Sequence, residues 1–146
     1  MKHSSSFYHD LNLGEEAEDW VKDMFSNGKL IEVKNDRLVH KTGNIFIEYE
    51  SRGKPSGLST TNANYWIYRM NELDIAFIIP TEKLKKICRE YLKEKKYIRN
   101  GGDNNTSLGL LIPFTTLLND IAAYERTHKF SKSENDIPRH ERGNNI

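Results

Sequence analysis

Three carboxylates stand at spacings that extended strands would bring together. Glu48 and Glu50 lie two residues apart in the run NIFIEYES, so they share a face if that run is a strand. Asp36 lies just upstream in IEVKND, with Lys34 on its own face. Carboxylates gathered this way repel one another, and burial makes each charge costlier. A hard divalent cation relieves that repulsion. Mg²⁺ or Mn²⁺ held by carboxylates and by substrate phosphate is a common arrangement for phosphodiester hydrolysis. The same spacing also suits the solvent face of an amphipathic strand, and spacing alone leaves both readings open.

The elements that must position these groups follow from periodicity. Leu13, Ala17, Trp20, Val21 and Met24 form a helical stripe that Asn27-Gly28 ends, which predicts a helix over about 13–26. Ile31 and Val33, then Ile45, Ile47 and Tyr49, alternate with polar residues and predict two strands. Thr42-Gly43-Asn44 turns between them, as in a hairpin. YWIYRM and DIAFIIP read as two more strands around Asn71-Glu72, the second apolar enough to be covered on both faces. Thr81 is placed to cap a helix over TEKLKKICREYLKEKK, with Leu84, Ile87, Cys88, Tyr91 and Leu92 on one face. LGLLIP is a short strand, and a last helix is expected from Phe114 to Tyr124. Residues 1–12 read as a flexible lead-in, 13–125 as one domain, and 126–146 as a charged, flexible tail. The class is α/β, with a mixed central β-sheet flanked by helices.

At 146 residues the chain has the length of one domain with one core. Lys and Arg total 22 against 21 Asp and Glu, so a net charge of +1 points to no partner by itself. No apolar run approaches the roughly 20 residues of a membrane helix, and the start lacks the apolar stretch of a secretory signal. A lone Cys88 excludes an internal disulfide and a cysteine-built zinc site. These features predict a soluble cytoplasmic protein with no membrane partner.

The run EVKND…TGNIFIEYESRGKPSG…TTNANYWIY resembles small phage and prophage proteins of the PD-(D/E)xK nuclease superfamily. The likeness rests on Lys34 and Asp36, Thr42-Gly43-Asn44, Ile47 to Glu50, Lys54 to Gly57, Thr60-Thr61 and Tyr65-Trp66, over about residues 13–70. It implies a restriction-endonuclease-like core and a Mg²⁺- or Mn²⁺-dependent DNA endonuclease, with resolvase-like or nicking activity as one task. Asp36 and Glu48 match the superfamily's metal-binding acids. Its motif Lys is replaced here by Glu50, which would hold a second metal or orient water, or else Lys34 substitutes for it in space. A competing register takes Glu32-Val33-Lys34 as the motif, but that needs an acid on a preceding strand, and Gly28-Lys29-Leu30 offers none. Holliday-junction resolvases of the superfamily place a Glu four residues after a Gly on the first helix, and Gly14 and Glu18 match, which adds Glu18 to the expected metal ligands. Helix-start acidity is the plainer explanation of Glu18. Dimerisation would let a small domain cut two strands. The departure at Glu50 equally suits a non-catalytic nucleic-acid-binding or assembly protein with the same fold.

Arg52 and Lys54, next in sequence to the acids, are candidates to hold phosphate, with Ser56, Thr60 and Thr61 as hydroxyl donors or turn caps. Residues 82–99 carry eight Lys and Arg against three Glu, or +5, on a helix that would track a phosphate backbone or simply face water. His40 is a lone loop histidine, while His3, His9, His128 and His140 have no metal-ligand spacing. Cys88 falls on an apolar helical face and is expected to be packed, and Tyr65, Trp66 and Tyr68 are expected in the core.

Overall fold

A computed structural model describes residues 4–135. Of the segment 126–146 expected as a flexible tail, residues 126–135 instead continue the last helix, which runs from Phe114 to Asn135, and the rest lies outside the described residues, as do His3 and His140.

The first helix, α1 (Ser4–Met24), is longer than its apolar stripe and takes in most of the segment expected as a loose lead-in. It is followed by β1 (Ile31–Asp36), a single helical turn α2 (Val39–Thr42), β2 (Asn44–Ser51) and the two-residue β3 (Lys54–Pro55). Then come β4 (Tyr65–Met70), β5 (Ile75–Pro80), α3 (Thr81–Tyr91), β6 (Ile98–Gly101), β7 (Ser107–Pro113) and α4 (Phe114–Asn135). The α/β class holds, with helices flanking the strands.

The expected β1–β2 hairpin does not form. The strands divide into two sheets, β1-β4-β5 and β3-β2-β7-β6. β1 runs parallel to β4, with the whole β2–β3 segment inside the crossover, while β2 pairs antiparallel with β7. The cause is local. Asp36 Oδ1 accepts the backbone N–H groups of Leu38 and Val39 at 2.6 and 2.9 Å, and this starts a helical turn where a tight hairpin needs extended chain. Gly43 closes that turn at φ 69°, a conformation glycine takes without a Cβ clash.

β4 is the centre of its sheet, and β5 is an edge strand with Ile75 and Ala76 exposed, not covered on both faces as its composition suggests. Inner-facing Trp66, Tyr68, Met70 and Ile79 meet Ile45, Ile47, Leu110 and Ile112 of the other sheet in one core. Leu84, Ile87, Cys88 and Tyr91 of α3 and Leu117 of α4 close it, as the i, i+3, i+4, i+7 pattern of α3 requires. α3 ends at Tyr91, short of the predicted Lys96. Thr81 is its first helical residue, and its buried hydroxyl makes no capping bond. No helix of the described residues is long and apolar enough to cross a membrane.

Candidate active site

Two acids of the predicted set meet. Asp36, at the end of β1, and Glu48, in the middle of β2, line one cleft of about 360 Å³ together with Lys34, Arg37, Phe46 and Tyr68. Lys34 and Asp36 alternate along β1 on the face that also holds Tyr68 and Trp66, since Lys34 is the cross-strand partner of Tyr68. Neither carboxylate hangs free. Asp36 Oδ2 accepts the Tyr68 hydroxyl, which in turn accepts the Phe46 N–H at 2.9 Å, so one phenol ties β1, β4 and β2 together. Glu48 Oε1 accepts Ser56 Oγ at 2.7 Å, and Oε2 accepts Ser107 Oγ at 2.6 Å.

Electrostatics keep this cleft charged. Partial burial would raise the Glu48 carboxyl, but the two serine hydroxyls and the Lys34 charge outweigh it and hold the group below the usual glutamate range. Burial, reinforced by the hydrogen bond to Asp36, pushes the Tyr68 hydroxyl far above the usual phenol range, so it remains a donor. Lys34 Nζ sits 2.8 Å from Glu32 and 5.5 Å from the Trp66 ring centre, held by a carboxylate and an aromatic face.

Glycines shape the cleft's surroundings. Gly57 has φ 51°, and a Cβ there would fall 2.3 Å from the Glu48 carbonyl oxygen, so only glycine allows the chain to pass behind Glu48. Gly109 is the cross-strand partner of Glu48, and a Cβ on it would lie 2.5 Å from Phe46 Cζ. The Phe46 ring therefore lies over Gly109 beside the Glu48 carboxylate.

Other predicted residues lie elsewhere. A bulge in β2 moves the ladder by one residue on β7 while β2 advances two, from Glu48↔Gly109 to Glu50↔Leu108. Leu108 shares the Leu110 and Ile112 side, so Glu50 sits on the face opposite Glu48, and the E-x-E alternation is broken at Tyr49. Glu18 is on the exposed side of α1, where its carboxylate is 3.7 Å from Lys22, and it does not line the cleft. No group of three or more His, Cys, Asp or Glu gathers as metal ligands among the described residues.

Arg52 and Lys54 are exposed on the β2–β3 hairpin, where Arg52 takes φ 51° in the turn, and neither lines the cleft. Ser56 buttresses Glu48, while the Thr61 hydroxyl accepts the Ala63 N–H at 3.2 Å in a separate depression. The α3 part of the +5 segment lies on the opposite side of β2, while Arg99 pairs with Gly109 and so shares the Glu48 side of the sheet. Lys85 and Arg89 of α3 flank Ile47 and Tyr49, whereas the cleft holds Phe46 and Glu48. Four of its cations, Lys83, Lys85, Lys93 and Lys96, already lie within 4 Å of a glutamate. His40 is exposed on α2.

Sequence reasoning passed over Arg37, Tyr68 and Ser107 as site residues. The period-two run YWIYRM offered a signal for Tyr68. Ser107 had none, because it reaches Glu48 from 59 residues away. Comparison with protein-family models, curated proteins and solved structures gave no match.

Proposed function

We propose that this protein is a Mg²⁺- or Mn²⁺-dependent DNA endonuclease with a variant restriction-endonuclease-like core. The observation that carries the reading is the convergence of Asp36, Glu48 and Lys34 from β1 and β2 on one open cleft. The donor set fits a small hard cation, because two carboxylates supply oxygen ligands and Mg²⁺ needs only one or two besides water and phosphate. Asp36 and Glu48 would hold it, and when bound it would lower the pKa of water and neutralise charge developing on the phosphoryl group. Tyr68, Ser56 and Ser107 keep the two carboxylates oriented and short of rotational freedom, and the two serines favour the charged form of Glu48. Lys34 takes the role of the superfamily's motif Lys, since it stands in the same cleft as both acids. It and Arg37 would bind phosphate oxygens and stabilise the charge that builds during hydrolysis.

The test is cleavage of plasmid and branched DNA by the purified chain with and without Mn²⁺. Asp36→Asn, Glu48→Gln and Lys34→Met should each slow cleavage by about a hundredfold or more. An Asp36→Asn protein that cleaves at the parent rate would sink the assignment.

A second reading is a non-catalytic nucleic-acid-binding or assembly protein. It is favoured by the hydrogen bonds that already engage every Asp36 and Glu48 oxygen and by the position of Glu50 away from them. It predicts DNA retention that weakens with salt, is indifferent to chelator and leads to no cleavage.

A further inference from the structure

The face of the second sheet that carries Glu48 is stripped of side chains beside the acid. Strand register puts Phe46, Glu48 and Ser51 of β2 on one side with Gly109 of β7 and with Arg99 and Gly101 of β6. Glu48, Gly109 and Arg99 form one row, so about 10 Å of sheet, two strand spacings, separates the acid from the arginine with only a glycine between. A Cβ on Gly101 would lie 2.8, 3.0 and 3.1 Å from Phe46 Cζ, Cε2 and Cε1, and one on Gly109 would lie 2.5 and 2.7 Å from Cζ and Cε2. Distances that hardly grow from Cζ to its ring neighbours put both positions over the face of the ring, not beyond its edge. The ring therefore lies flat on two bare stretches of backbone, a close approach that only glycine permits. Its opposite face is what remains to line the cleft, and Phe46 takes no part in the hydrophobic core.

Cations frame this face. Ser51 pairs with both Ser107 and Lys54, which puts Lys54 on the Glu48 side of edge strand β3, while Arg99 occupies the other edge, β6. Both are exposed, and neither lies within 4 Å of a carboxylate among the described residues. The Arg99 guanidinium donates to the Ile98 carbonyl at 2.7 Å, which leaves most of its N–H donors for a ligand. Glu48 is the only acid among the strand residues of the face.

We propose that this face binds an unpaired DNA strand beside the cleft, with one base stacked on the free face of Phe46 and flanking phosphates held by Arg99 and Lys54. The proposal rests on the reading of the cleft as a DNA site, and it names the form of DNA that the site takes. In a duplex both faces of each base are covered by neighbours, so a flat-lying aromatic has nothing to stack on. An unpaired nucleotide offers it a free face.

The experiment follows the fluorescence anisotropy of a dye-labelled single strand of about 20 nucleotides in EDTA, where nothing is cut, beside its duplex and an abasic strand of the same length. The parent chain should hold the single strand at least about tenfold tighter than the duplex. Phe46→Leu should lose about tenfold on the single strand and nothing on the abasic one, because only a base can stack. Arg99→Gln and Lys54→Gln should each weaken both strands and lower the slope of log affinity on log salt by about 0.7. Should Phe46→Leu lose the abasic strand as well, Gly101→Ala decides instead, since its Cβ lifts the same ring, and the same selective loss is expected. A parent that prefers the duplex overturns the proposal. So does a Phe46→Leu protein that is less stable in urea yet keeps its single-strand affinity, because the ring then only covers glycine backbone. Adding Mn²⁺ judges the nuclease reading separately. Cleavage by a chain whose single-strand affinity ignores Phe46 and Arg99 overturns this proposal alone, whereas Phe46-dependent binding without cleavage supports it and overturns only the nuclease.

Discussion

The Tyr68 hydroxyl donates to the Asp36 carboxylate diagonally across the parallel β1–β4 pair, and the same oxygen accepts the Phe46 amide from the other sheet. A phenol that sequence periodicity places in the core thus also orients an acid and joins two sheets that share no strand pairing.

Tyr68→Phe should keep the packing and remove the bridge. Because Tyr68 is only 3% exposed, the Phe46 N–H and an Asp36 oxygen lose their partner away from bulk water, at a cost of about 1–3 kcal/mol. Urea denaturation measures that loss. Cleavage should fall as well, because Asp36 is then free to turn.

Glu50→Gln and Glu18→Gln should leave cleavage within about twofold of the parent, as surface changes away from a site generally do. The contrast with Asp36→Asn in a single plasmid-nicking assay separates the β1–β2 cleft from the three-acid strand site that spacing suggests. A hundredfold loss at Glu50 would return that residue to the mechanism.

Stability should depend on acid through Glu48. Its carboxyl is lowered in the folded protein, so the stabilisation is fully present above the unfolded glutamate value of about 4.3 and disappears as pH falls through the lower folded value. Thermal unfolding followed from pH 7 to pH 3 should show a shallower decline for Glu48→Gln. Ser56→Ala with Ser107→Ala removes the hydrogen bonds that lower this carboxyl and should likewise flatten the decline.

Gly57→Ala combines a left-handed backbone with a Cβ 2.3 Å from the Glu48 carbonyl oxygen. A loss of about 2–4 kcal/mol is expected, well above an ordinary surface glycine. Chemical denaturation of the variant tests it, with Gly14→Ala, which meets nothing within 4 Å, as the control.

Cys88 is buried against α3's partners, and burial pushes its thiol up to about 12. A thiol reagent should leave the native protein largely unlabelled at pH 8 and modify one cysteine per chain once urea unfolds it.

Local pattern reached far into this fold. The helical stripe of α3, the β4–β5 hairpin, the β7 strand and the burial of Trp66 and Cys88 are all consequences of period and composition. So is the placement of Lys34 and Asp36 on one face of β1, because alternation along a strand is a property of the chain itself. Strand partnership was less legible. β1 and β2 are neighbours in sequence, yet an Asx turn at Asp36 separates them and sends β1 to β4.

The amino-acid sequence by itself determined where the main core strands and the start of α3 lie and which side each residue takes within an unbroken element. Tertiary structure alone decided that Glu50 leaves the Glu48 face, because a bulge arises from the register between β2 and β7. It also brought Ser107 to Glu48, and it put the cationic helix on the far side of β2 from Glu48. Those relationships join residues far apart in the chain, and their geometry follows from how whole sheets and helices pack against one another.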